Sequence, residues 1–234
     1  MGRSGTDGVV QHIFPGWALP EELYAPYEKM VELTIFHSAG FFSKCATRKI
    51  EDAFSLYTDE QCFITAHSMG SLFALKTAAA SENVRALILF SPFARFTSSM
   101  SYDAQDYESI DAMRKHLNTN PEALIKSFWR KMAKPENFDI RIPAFLNVPT
   151  LREGLDILAN SDMRDVLPEI RIPVLIFQGT GDLISTPVMT SFVKKNVPHA
   201  ELVIIEGAGH ALPFTRLDEC MKKIKSFLSE TFGK

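Results

Sequence analysis

Short apolar runs alternate with amphipathic stretches along most of this chain. Runs rich in Val, Ile, Leu and Phe, bounded by glycine, proline or charged residues, predict strands near 9–14, 32–37, 61–67, 85–91, 173–178 and 201–206. Between them, apolar residues recur every three to four positions, which predicts helices near 20–30, 48–57, 69–81, 188–196 and 216–230. Strands that alternate with helices pair in parallel, because a parallel neighbour needs a long crossover. The expectation is an α/β chain with a mostly parallel sheet. One block breaks the alternation. From about 97 to 167 the pattern is helical, with no clear buried strand. It reads as an insertion lying over the C-terminal edge of the sheet.

Composition narrows the class. The chain has 234 residues and a formal net charge of −3. That length suffices for one well-packed α/β domain, and the charge argues against general nucleic-acid binding. Three cysteines, Cys45, Cys62 and Cys220, are odd in number and show no paired spacing, so a disulfide framework is not expected and a reducing cytoplasm is. No signal-peptide pattern and no apolar run near the ~20 residues of a membrane span are evident, so no membrane partner is expected.

The chemistry starts at Thr65-Ala66-His67-Ser68-Met69-Gly70-Ser71. A strand leads in and a helix leads out, the layout of a nucleophile elbow. Small residues at 66, 70 and 71 suit its tight turn. A helix N-cap serine would also sit between a strand and a helix, so the elbow gains its weight from residues further along the chain. A serine hydroxyl needs a base, and the base needs an orienting acid. Asp182 follows the apolar run 174–177 through Gln178-Gly179-Thr180-Gly181. His210 follows 202–205 through Glu206-Gly207-Ala208-Gly209. Either alone could be a turn or cap residue. Together, in the order Ser, Asp, His, and each at a strand exit, they read as a catalytic triad of Ser68, Asp182 and His210. The loop 14–19 after the first strand would supply one oxyanion donor, the Trp17 N–H. The N–H after the nucleophile, on Met69, would supply the other. His67 reads as a spacer, and His12, His37, His116 and His199 as structural or exposed. No metal-ligand cluster is visible, and the triad needs no cofactor.

The 97–167 block carries Phe128, Trp129, Met132, Phe138 and Phe145. Most should pack it onto the core, and a few should line an acyl pocket. It is also basic within an acidic chain. Lys126 and Arg130, spaced i, i+4, share a helix face that could hold phosphate or an acidic partner, or could simply be solvated.

These segments resemble the BioH-type pimeloyl-[acyl-carrier protein] methyl ester esterases of the α/β-hydrolase superfamily. Phe14 to Leu19 is similar to that family's His-Gly-Trp-Gly-Leu segment, and Ser38 to Ser43 to its Pro-Gly-Phe-Gly loop. Gly154 to Leu158 with Asp162 to Arg164, and the loops 179–182 and 208–213, are similar to the stretches that close its lid and carry its acid and base. Pro15 and Ala66 depart from its pattern. The resemblance implies an α/β-hydrolase fold trimmed at its N-terminal edge, with a core of 1–96 and 168–234 and a helical lid of 97–167. It implies cleavage of the methyl ester of pimeloyl-acyl-carrier protein in biotin synthesis. Trp17, Lys126, Phe128 and Arg130 would be the substrate-binding residues, the two cations holding the carrier. A broad short-chain carboxylesterase or thioesterase, and a non-catalytic binding protein of the same fold, are the alternatives.

Overall fold

The computed structural model describes residues 8–45, 48–56, 58–99 and 102–233. Six strands form one sheet: β1 (Val10–Phe14), β2 (Leu33–Phe36), β3 (Cys62–His67), β4 (Val84–Phe90), β5 (Val174–Gly179) and β6 (Glu201–Ile205). Their order is β2-β1-β3-β4-β5-β6, and each pairing is parallel. Central strands β1, β3 and β5 are buried along their whole length, which is why they read as continuous apolar runs. Strand β2 lies at the edge and alternates exposed with half-buried residues.

From β1 the chain steps outward to β2, then crosses back to β3 and proceeds one way to β6. Direction therefore reverses between β1 and β3, and such a switch point opens a crevice at the carboxyl ends of the strands. Phe14, the last residue of β1, pairs with Ala66, two residues before Ser68. The elbow and the first loop are thereby made neighbours.

The principal helices against the sheet are α2 (Gly70–Ala80), α6 (Pro187–Asn196) and α8 (Leu217–Phe232), with single turns α1 (Ile50–Ala53) and α7 (Leu212–Thr215). Two expected helices differ. The one near 20–30 is a 3-10 helix, Glu21–Met30, with Pro26 inside it. Proline has no N–H to give and clashes with the preceding turn of an α-helix. The helix near 48–57 shortens to α1, and residue 57 lies outside the described residues.

Between β4 and β5 the chain forms α3 (Tyr107–Thr119), α4 (Pro121–Ala133), α5 (Val148–Asn160) and a 3-10 helix, Arg164–Glu169. Helix α4 starts where the Asn120 side chain accepts the Ala123 N–H at 3.0 Å and Pro121 takes the first turn. It buries Leu124, Ile125, Trp129 and Met132.

Close approach at the switch point requires a glycine. A Cβ on Gly70 would overlap the Phe14 carbonyl and crowd that of Pro15. Gly70→Ala must push β1 away from the elbow. The expected cost is ~1–3 kcal/mol, read as a fall of several degrees in Tm. An unchanged Tm would contradict the close approach.

At the β1–β2 side, two imidazoles are hydrogen-bonded to each other. The Ala53 carbonyl accepts from His37 Nδ1–H at 2.8 Å, so His37 Nε2 accepts from His12 Nδ1–H at 2.8 Å. Burial, then the neighbouring His37, pushes His12 from 6.5 down to about 4, and burial lowers His37 as well. The unfolded chain binds protons near 6.5 that the folded pair refuses, so this stability is present above 6.5 and is lost as pH falls toward 4. Thermal denaturation should show Tm falling below pH 6.5. His12→Gln, which keeps a donor toward His37, should flatten that slope. A Tm independent of pH across this window would refute the linkage.

Candidate active site

Ser68 stands immediately after β3 with φ +54°, in the left-handed region that a serine rarely occupies. The strain is held on both sides. Ser68 N–H donates to the Phe90 carbonyl at 3.0 Å, and Ser71 N–H closes the turn onto the Ser68 carbonyl at 2.9 Å. Helix α2 begins two residues later, so its N-terminal dipole faces the same space.

Asp182 follows β5 and is 2% exposed. Its carboxyl group receives four hydrogen bonds. Oδ1 accepts the N–H groups of Ile184 (2.8 Å) and Ser185 (3.0 Å), and Oδ2 accepts Ser91 Oγ–H (2.7 Å) and His210 Nδ1–H (2.8 Å). Four bonds fill the acceptor capacity of a carboxylate. Ser91 ends β4 with φ +48°, which turns its hydroxyl onto the acid. Sequence reasoning missed Ser91; the only signal was a polar residue directly after a buried strand.

His210 lies after β6, 1% exposed. With Nδ1–H given to Asp182, the neutral ring carries its lone pair on Nε2. That nitrogen is buried and has no hydrogen-bond partner among the described residues. A buried, unsatisfied acceptor is costly, and it is what a proton-abstracting base presents.

The loop carrying His210 is tied to the end of α4. Ala211 N–H donates to the Met132 carbonyl at 3.1 Å. Glu136 Oε2 accepts Thr215 Oγ1–H at 2.6 Å and the Gly209 N–H at 3.5 Å. A Cβ on Gly209 would overlap the Lys134 carbonyl, so this contact also needs its glycine.

Ser68 opens into a cavity of about 220 Å³. Trp17, Phe96, Ile110, Met113, Leu124 and Phe128 supply much of its apolar wall. The wall also contains Gln105, Ser109, Ser127 and Lys131, and Lys131 is its one charged lining residue. Trp17 and Phe128 meet edge to face at 4.9 Å. The first loop is anchored on the helical segment from two directions: Trp17 Nε1–H donates to the Leu151 carbonyl (2.9 Å), and Trp129 Nε1–H donates to the Ala18 carbonyl (2.8 Å).

The remaining expected residues separate. Phe128 lines the cavity, whereas Trp129 and Met132 are buried in the core. Phe138 stacks on Phe214, and Phe145 is exposed. Lys126 and Arg130 are exposed and do not line the cavity. Lys126 pairs with Glu122 at 2.6 Å, and Arg130 Nε–H donates to the Lys126 carbonyl at 3.3 Å. Sequence reasoning missed Lys131 as a lining residue, because a helix of dispersed lysines does not reveal which one turns inward.

Known proteins resemble this chain in sequence and in fold. The pimeloyl-[acyl-carrier protein] methyl ester esterase of Neisseria meningitidis serogroup A, strain Z2491, is 31% identical over 173 residues; the match takes in 70% of this chain and only 55% of that protein. The protein of the same name from Legionella pneumophila, strain Paris, is 26% identical over 234 residues, covering 90% of this chain and 94% of that one. The crystal structure of a bromoperoxidase from Bacillus anthracis superposes with a TM-score of 0.81 at 16% identity, covering 95% of this chain and 92% of that one, a likeness of fold. The sequence model of the serine aminopeptidase family, S33, matches residues 45–216, from before the elbow to beyond His210. With its six-stranded sheet and the elbow at the switch point, the chain belongs to this family of α/β-hydrolases.

Proposed function

We propose that the protein is a serine carboxylic-ester hydrolase with Ser68 as nucleophile, His210 as general base and Asp182 as the acid that fixes its tautomer. The observation that carries this reading is the buried 2.8 Å hydrogen bond from His210 to Asp182, with Nε2 left open, in a site where Ser68 faces an apolar cavity. His210 Nε2 takes the Ser68 proton as Oγ attacks the ester carbonyl. The tetrahedral oxyanion is held by the Trp17 and Met69 N–H groups. The imidazolium gives its proton to the departing alcohol, leaving an acyl-enzyme. Water, deprotonated by the same base, then releases the acid and restores Ser68.

The cavity favours an acyl ester over the N-terminal peptide that the family's description would suggest. An aminopeptidase must hold an α-ammonium group, for which a carboxylate is the natural partner. No Asp or Glu is among the lining residues, and their one charge, Lys131, has the wrong sign.

Within that class, the methyl ester of pimeloyl-acyl-carrier protein is the substrate we favour, in cytoplasmic biotin synthesis. The names of the Neisseria and Legionella relatives support it, as does a cavity apolar enough for a methylene chain. Residues 97–167 would act as the lid, with Trp17 and Phe128 against the acyl chain and Lys126 and Arg130 meeting the acidic carrier. A broad short-chain carboxylesterase or thioesterase is the second reading, favoured by the position of Lys126 and Arg130 outside the cavity.

Ser68→Ala should lower kcat/KM on a short p-nitrophenyl ester by several orders of magnitude while circular dichroism stays native, and Asp182→Asn should cost up to about 10⁴-fold. A folded Ser68→Ala variant that keeps most of its activity would eliminate the triad. Reversing Lys126 and Arg130 to Glu separates the two ester readings. On a carrier-linked ester, KM should rise, by a factor that shrinks as salt is added, with the p-nitrophenyl ester unaffected. Unchanged KM on the carrier-linked ester leaves the general esterase.

A further inference from the structure

Beneath the three proposed catalytic side chains lies a second set of buried polar groups that the proposed reaction does not use. His67, directly before Ser68, is 0% exposed, and Tyr24 is 1% exposed. Both His67 nitrogens are engaged: Nε2 lies 3.0 Å from the His210 carbonyl oxygen and Nδ1 lies 3.0 Å from Tyr24 Oη. Tyr24 Oη in turn accepts the Gly16 N–H at 3.1 Å.

Hydrogen-bond chemistry fixes every proton in this chain of groups. A carbonyl oxygen only accepts, so His67 carries its proton on Nε2. A neutral ring then accepts at Nδ1, so Tyr24 donates its O–H there and uses an oxygen lone pair for Gly16 N–H. The path runs Gly16 N–H to Tyr24, Tyr24 O–H to His67, His67 N–H to the His210 carbonyl. Burial, and secondarily His210, lowers the His67 pKa well below 6.5, which keeps the ring in this neutral form. The His67 and His210 rings stand 4.9 Å apart between centroids.

The path touches each moving part of the proposed reaction at one remove. Gly16 precedes Trp17, whose N–H is a proposed oxyanion donor. His67 precedes Ser68. The third end is the backbone of His210 itself. Gly16 also packs tightly on the elbow, since a Cβ there would lie 3.3 Å from Ser68 Cβ and 3.4 Å from the His67 carbonyl oxygen. We propose that Tyr24 and His67 are positioning residues that lock the oxyanion loop and the base to the nucleophile through one buried hydrogen-bonded bridge. This rests on the serine-hydrolase reading. Simple packing does not require the bridge: an apolar pair could fill the same core without burying an imidazole and a phenol, each of which needs partners. Catalysis does need such a bridge, because small displacements of donor or base slow the reaction steeply.

Tyr24→Phe keeps the ring that packs edge to face on Phe214 at 5.2 Å and removes only the hydroxyl. It leaves Gly16 N–H and His67 Nδ1 unpaired. On a short p-nitrophenyl ester, kcat should fall about 10–100-fold with KM nearly constant. The Ki of an alkyl trifluoromethyl ketone, whose adduct with Ser68 carries the oxyanion, should rise in parallel, while inhibition by the product acid should not change. His67→Leu should behave likewise. His67→Gln, which can present both an acceptor and a donor, should lose less than His67→Leu. Folding is checked by the Tm of each variant, with assays well below it. If Ser68→Ala is inactive yet folded Tyr24→Phe and His67→Leu keep kcat within about twofold, or lose kcat with Ki unchanged, the bridge is not a positioning device. If Ser68→Ala is itself active, the underlying hydrolase reading fails instead.

Discussion

The site is organised around the buried carboxyl group of Asp182. A carboxylate removed from water is tolerated only when its oxygens find donors. Here the donors come from separate places in the chain: the Ser91 hydroxyl at the end of β4, two N–H groups of the loop after β5, and the His210 ring after β6. Meeting that demand aligns three adjacent strand ends. Strand β3 lies next to β4, and its exit carries Ser68. The parallel sheet brings every one of these ends to the same edge, so one electrostatic constraint orders most of the cleft.

The other half of the cleft depends on close backbone approach. Gly16 and Gly70 allow the first loop and the elbow to meet at the switch point between β1 and β3. Trp17 then reaches outward to the Leu151 carbonyl, and Trp129 reaches back to Ala18. At the opposite side, Glu136 and the Met132 carbonyl hold the loop of His210. The segment between β4 and β5 is thus hydrogen-bonded both to the loop proposed to carry the oxyanion donor and to the loop carrying the proposed base. A displacement of α4 would be felt at both. That coupling links recognition on α4 to chemistry at Ser68 under the proposed function.

Polar groups buried in this core serve different ends. His12 and His37 satisfy one another at the β1–β2 side and make the fold sensitive to acid. Tyr24 and His67 sit under the cleft and connect its parts. Both sets consist of neutral imidazoles whose tautomers are dictated by a backbone carbonyl.

Strand identity was legible in the residues because burial on both faces leaves an unbroken apolar run, as in Val84–Phe90 and Val174–Gly179. Ser68, Asp182 and His210 could be picked out because each comes just after such a run, and parallel strands deliver their exits to one edge. The 3-10 helix at Glu21–Met30 was not legible as such, since apolar spacing does not distinguish helix types and Pro26 acts only through the backbone. The partners of the site residues were hidden for a different reason. Tyr24 and His67 are 43 positions apart, and Ser91 and Asp182 are 91 apart, so nothing local marks them as bonded. Helix α4 shows the same limit: its sequence places Lys126 and Arg130 on a common face, but the rotation of the helix against the core turns Lys131 to the cavity. Periodicity and strand exits are properties of neighbouring residues and could be read from the chain. Which side chain completes which hydrogen bond, and which face of a helix is inward, was decided only when distant segments packed.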